Sequence, residues 1–146
     1  MTTHRIGVGC DHAGLELKQK LSEVLATQGI EVVDFGTHTT ASCDYPDFAH
    51  ALCAALEAGR VARGVLVCGT GVGMSIAANR HPGVRAIVCS ESVSARMSRK
   101  HNDANVLCLG ARIIGIETAI DILHVFLSTE FEGGRHVSRI QKLAPA

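Results

Sequence analysis

The chain has 146 residues, 47% of them apolar, and its 14 basic and 14 acidic side chains cancel to a net charge of zero. That balance excludes a polyanion-binding surface, and the lack of tryptophan with only 3% aromatics removes base-stacking platforms, so nucleic acid is not an expected partner. The length suits one domain, 1–146, whose core must be filled by Val, Ile, Leu and Ala.

Arg5-Ile6-Gly7-Val8-Gly9-Cys10 reads as a first strand ending in Asp11-His12-Ala13-Gly14. Leu15, Leu17, Leu21, Val24 and Leu25 recur mainly at three- and four-residue steps, which predicts an amphipathic helix with Glu16, Lys18, Gln19 and Lys20 outward and Gly29 at its end. Ile30 to Gly36 is a second strand, less apolar and so nearer an edge, and Thr37 to Asp44 is a loop. Tyr45-Pro46-Asp47 starts a second helix with Phe48, Ala51, Leu52, Ala55 and Leu56 inward.

Gly64 to Cys68 is a buried third strand; the glycine loop Gly69-Thr70-Gly71-Val72-Gly73 follows, and a helix begins at Ile76 and stops at His81-Pro82-Gly83. Strand four is Val84 to Cys89, followed by a helix through about Lys100 and a turn at His101-Asn102-Asp103-Ala104. Asn105 to Gly110 is strand five; a long apolar helix covers Ile116 to Leu127, and a short one covers about 135–143. Strands alternating with helices over short connections imply a parallel sheet covered on both faces. The expected fold is therefore a Rossmann-like three-layer α/β/α sandwich with five parallel strands.

None of the six cysteines forms a C-x-x-C pair, so neither a zinc ribbon nor a dithiol redox centre is expected. The N-terminal residues carry no apolar leader and no run reaches the length of a membrane span, which makes the cytoplasm the expected location.

Ligands of such folds bind beyond the carboxyl ends of the strands. Those ends supply Asp11 and His12, then Cys68, Gly69, Thr70, Gly71, Val72 and Gly73, then Ser90-Glu91, then Ala111-Arg112. A dinucleotide fingerprint needs a third glycine where Met74 stands, and no G-x-x-x-x-G-K-[ST] exists, so nucleotide binding is disfavoured. Cys68 alone could be a core residue, but a thiol before three glycines and a helix N-terminus sits where negative charge is favoured. Arg135 and Arg139, four apart after Gly133-Gly134, form either a phosphate fork or a solvated face. His101 lies at the amino edge of the sheet, about 17 Å from the carboxyl edge for a five-residue strand. Either it has no catalytic role or a second subunit delivers it to Cys68.

Gly9 to Gly14, Asp44 to Asp47, Cys68 to Gly73, Ser75 to Asn79, Ser98 to Asp103, and Glu132 to His136 with Arg139 together resemble the type B ribose-5-phosphate isomerases, a family that also holds allose- and galactose-6-phosphate isomerases. The resemblance runs nearly end to end. It implies an aldose–ketose isomerase that uses neither metal nor cofactor, built as a homodimer or dimer of dimers with active sites between subunits. It implies Cys68 as the base between C2 and C1, with a glutamate at the position of Met74 marking a branch to which this chain does not belong. By the same resemblance His101 opens the sugar ring, and Asp11, Asn102 and Arg112 contact substrate. His12, Arg135 and Arg139 hold the phosphate, and Tyr45 lines the site. Gly69, Gly71, Val72 and Gly73 with the Thr70 hydroxyl would offer donors to the enediolate oxygen. The alternatives are a six-carbon phosphate isomerase, a non-catalytic sugar-phosphate or nucleotide-binding module, and a thiol hydrolase.

Overall fold

The computed structural model describes residues 5–146. Five parallel strands, β1 (Arg5–Cys10), β2 (Glu31–Asp34), β3 (Arg63–Cys68), β4 (Ala86–Val88) and β5 (Val106–Gly110), lie in the order β2-β1-β3-β5-β4. The helices are α1 (Leu15–Thr27), α2 (Tyr45–Glu57), α3 (Val72–Ala78), α4 (Ser92–Asn102), α5 (Ile116–Ser128) and α6 (His136–Gln141). The expected parallel α/β sandwich is what the chain forms, with β2 at one edge. The central strands β3 and β5 are buried almost throughout, so they read as continuous apolar runs rather than alternating ones.

Two apolar layers flank the sheet. On one face Leu21, Leu25, Ile122, Leu123 and Phe126 of α1 and α5 pack against Ile6, Val8, Val65 and Leu107. On the other, Leu52, Met74 and Ala78 of α2 and α3 cover Leu66, Cys68, Val106 and Cys108. Close approach is built in at Gly14, where an added Cβ would lie 2.5 Å from the Val67 carbonyl oxygen, so the turn after β1 can rest directly on β3.

The structure corrects several boundaries. The glycine loop enters its helix at Val72, not Ile76, because Gly71 at φ +79° turns the chain into α3 directly. His101 and Asn102 are the last residues of α4 rather than a turn; Asp103, at φ 47°, ends that helix in a left-handed conformation. The second strand ends at Asp34, β4 is only three residues long, and the last helix is His136–Gln141.

Two side chains face the opposite way from expectation. Ala51 is exposed, while Ala49 and Cys53 point inward with Leu52 and Ala55. Lys18, expected outward, is only 2% exposed; its ammonium donates to Asp34 at 2.8 Å and to the Thr37 carbonyl at 2.7 Å. The charge is tolerated there because a carboxylate at the end of β2 and a carbonyl of the loop after it both accept from the ammonium.

Candidate active site

The carboxyl edge gathers most of the expected side chains. Asp11, 7% exposed, opens a 3-10 turn (His12–Gly14), and its Oδ1 accepts the N–H groups of Ala13 and Gly14 at 3.0 and 3.1 Å. That turn fixes His12, whose Nδ1 accepts the Cys43 N–H at 3.3 Å; the ring proton is thereby assigned to Nε2. The loop expected to be merely polar thus holds one histidine in a single tautomer.

Cys68 ends β3 at 5% exposure, and its Sγ accepts the Gly71 N–H at 3.1 Å. A backbone donor aimed at sulfur stabilises negative charge on it. Burial pushes Cys10 and Cys89 up to about 11 and Cys53 up to about 12, and raises fully buried Cys108 well above the ordinary thiol value. Those four are protonated packing groups at neutral pH.

The glycine loop is held against the end of β5. Ala111 N–H bonds Cys68 O at 2.9 Å, and Arg112 N–H bonds Gly69 O at 3.0 Å. Cβ atoms added at Gly71 and Gly110 would lie 2.9 Å from the Leu109 carbonyl carbon and 2.7 Å from the Thr70 backbone. Only glycines allow this packing. The Arg112 guanidinium covers Gly69, 3.4 Å from where a Cβ would stand, and the Tyr45 ring covers Gly73 at 2.7 Å from the same construction. Arg112 and Tyr45 are thus brought to the loop from different elements.

Not all loop donors are free. Gly71 N–H is taken by the Cys68 sulfur, and Val72 N–H by the Thr70 hydroxyl at 3.3 Å. Those two are expected to face a ligand; the tight turn closes each of them on a side chain of the loop instead. The N–H groups of Gly73 and Met74 make no hydrogen bond among the described residues. Met74 itself is fully buried beside Cys68 and offers no titrating group.

A second cluster forms at the opposite edge. His101, Asn102, Arg135, His136 and Arg139 line a cavity of about 280 Å³ between α4 and α6. The register places this cluster away from the sulfur: Val106, just after α4, pairs with Gly64, whereas Cys68 pairs with Gly110 at the far end of β5. His101 therefore does not meet Cys68 within the chain.

Three further residues shape this cluster, and no role was expected of them. Buried Arg99 bonds Asp103 at 2.8 Å and the Thr129 carbonyl at 3.2 Å, pinning the end of α4 to the end of α5. His136, 5% exposed, stacks on His101 with ring centroids 4.5 Å apart, and Glu132 lies 3.3 Å from His136 Nε2. The Glu132–His136 spacing of four was the available signal, obscured because the two glycines between them break helical periodicity.

An α/β sandwich with a thiol, a glycine loop, an arginine and a histidine at its carboxyl edge is the arrangement of a small-molecule enzyme rather than of a structural domain. Residues 6–143 match the family model described as Ribose/Galactose Isomerase. Ribose-5-phosphate isomerase B of Escherichia coli strain K12 is 47% identical over 139 residues, covering 95% of this chain and 93% of that protein. The structure of ribose-5-phosphate isomerase B from Clostridium thermocellum superposes with a TM-score of 0.94 at 51% identity, covering 95% of this chain and 94% of that one. The corresponding Thermotoga maritima structure gives 0.95 at 47% identity, covering 97% and 98%. The chain belongs to the ribose/galactose isomerase family and is an aldose–ketose isomerase.

Proposed function

We propose that the protein interconverts ribose 5-phosphate and ribulose 5-phosphate, with Cys68 as the base. The observation that carries this is the Cys68 sulfur, seated at the end of β3 with the Gly71 N–H pointed at it. The names of the nearly full-length relatives support the five-carbon substrate.

His101 moves a proton from the anomeric hydroxyl towards the ring oxygen, opening the furanose to the free aldehyde. The Cys68 thiolate removes the C2 proton; the C2–H electron pair becomes the C1=C2 bond, and the carbonyl pair moves onto O1. Gly73 and Met74 N–H groups and the Thr70 hydroxyl stabilise that oxygen. A proton passes from O2 to O1 and the thiol returns its own to C1, leaving the ketone at C2. Asp11, Asn102 and Arg112 orient the hydroxyls, the other loop positions Gly69, Gly71 and Val72 shape the floor, and His12, Arg135 and Arg139 hold the phosphate. Cytoplasmic placement belongs to the same proposal.

Because His101 and Cys68 lie at opposite edges, the working unit is a homodimer or dimer of dimers that places one protomer's His101 against its partner's Cys68. Apolar residues support this: Val72 and Ile76 on α3, and Val93 and Met97 on α4, are exposed in two i,i+4 pairs. The test is ketose formation from ribose 5-phosphate by the purified chain. Cys68→Ala should lose at least about 10³-fold in turnover while keeping substrate affinity, in line with removal of a proton-transfer group. Undiminished turnover in that variant removes Cys68 as base. Faster turnover of allose 6-phosphate than of ribose 5-phosphate would assign the six-carbon substrate instead.

A further inference from the structure

The chain between α5 and α6 is folded back onto the end of α4. Buried Arg99 reaches the Thr129 carbonyl at 3.2 Å, and the Glu132 N–H bonds the Lys100 carbonyl at 3.1 Å. Gly133 and Gly134, at φ +67° and +58°, then turn the backbone through two left-handed steps into α6. That path brings His136 against His101. The two rings stack 18° from parallel with centroids 4.5 Å apart; His136 is 5% exposed, while the His101 side chain is 42% exposed. One imidazole is a buried platform, and the other lies on it.

Glu132 stands beside both rings. Its Oε1 lies 3.3 Å from His136 Nε2 and 4.0 Å from His101 Nε2, while its Oε2 faces Lys100 at 3.9 Å. His136 Nε2 is buried without an aligned hydrogen bond, so the nearby carboxylate is what limits the cost of burying it. The surrounding charges give that carboxylate its weight. Lys100, Arg135 and Arg139 are cationic and oppose any further positive charge at the cavity. Among the described residues, Glu132 is the one carboxylate within ion-pair reach of either imidazole.

We propose that Glu132 and His136 are positioning residues for His101. His136 sets the plane of the His101 ring by stacking under it. Glu132 stabilises the imidazolium that His101 becomes between taking the anomeric proton and delivering it. In that step the O–H pair of the anomeric hydroxyl becomes the second C1–O bond. The C1–O4 pair leaves on O4, and the proton carried by His101 joins it there.

The proposal rests on the ring-opening part given to His101, and a double-variant cycle separates the two. Ribose 5-phosphate turnover is measured for the parent chain, Glu132→Gln, His101→Gln and the double variant. His101→Gln should fall by at least about a hundredfold, its residual turnover fed by substrate that has already opened in solution. Glu132→Gln should fall by about tenfold to a hundredfold, the scale on which a small misplacement of a catalytic group is felt. In the double variant the Glu132 change should cost nothing further, because residues that act as a unit do not add. His136→Phe, which keeps a ring under His101, should retain most of the parent turnover, and His136→Ala should lose as much as Glu132→Gln. Glu132 is exposed on a loop, so the cycle reads out even where His136→Ala fails to fold. Equal losses from Glu132→Gln with and without His101 mean that the segment only supports the fold. Undiminished turnover in Glu132→Gln removes its charge from the reaction, and a His136→Phe variant as slow as His136→Ala removes the platform. Each of these overturns the positioning role while ring opening by His101 stands. Undiminished turnover in His101→Gln overturns the ring-opening reading itself, and the positioning role with it.

Discussion

Lys18 carries a charge in a place where the helical pattern alone put a solvated residue. Its ammonium ties α1 to Asp34 and to the loop that presents Cys43 to His12. Lys18→Ala removes a buried donor and leaves Asp34 and the Thr37 carbonyl without it. Because Asp34 is 36% exposed and can turn to water, the cost should be about 2 kcal/mol rather than that of a fully buried pair, measured by urea unfolding. Thiol chemistry separates the cysteines at the same scale. Iodoacetamide at pH 8 should label half-buried Cys43 well before Cys53 or Cys108, which burial keeps protonated; peptide mapping checks the order. Cys68 could be picked out in the sequence because three glycines follow it, whereas the inward turn of Lys18 depends on a partner in another strand and leaves no local trace.

At the level of elements, the site is held by contacts that only glycine permits. Gly110→Ala would drive a methyl against the Thr70 backbone and displace the glycine loop from β5. Turnover should fall by about a hundredfold with little change in secondary structure, since misplacement of a catalytic group by about 1 Å costs on that order. Helix ends contribute a pH dependence. The Glu57 carboxyl at the end of α2 is held below the usual carboxylate range, first by the Gly83 N–H and then by His81, and Glu91 is lowered by Ser94 at the start of α4. Groups whose folded value is depressed stabilise above the unfolded value, and that stability is lost as pH falls through the folded one. Thermal unfolding followed from pH 6 to pH 3 should therefore drop less steeply in Glu57→Gln than in the parent chain. Strands, helices and order along the chain were legible because period and glycine placement are local signals. The start of α3 was not: Gly71 can either continue a loop or turn into a helix, and the packing of Leu109 decides it.

Across the whole molecule, parallel topology sends every α-to-β connection to one edge and every β-to-α loop to the other, so residues near in sequence can serve opposite ends. The resemblance named both halves of the proposed site, and the amino-edge position of His101 was visible from strand order alone. Glu132 and His136 enter the resemblance only as part of a motif; their convergence on His101 needs the return of the chain after α5, which periodicity does not encode. If α3 and α4 meet a partner, Ile76→Asp should shift the chain towards monomer in sedimentation and lose turnover together.

The β3–β5 register that puts Gly64 beside Val106 and Cys68 beside Gly110 also separates two kinds of inactive variant. Cys68→Ala damages one edge of a protomer and His101→Gln the other. Where sites are shared, a hybrid of the two holds one site with both defects and one with neither. Mixing the two dead proteins and allowing subunits to exchange should then restore roughly a quarter of the parent activity, because half of the randomly formed dimers are hybrids with one intact site of two. Two sites each completed within one protomer could not be rescued by mixing.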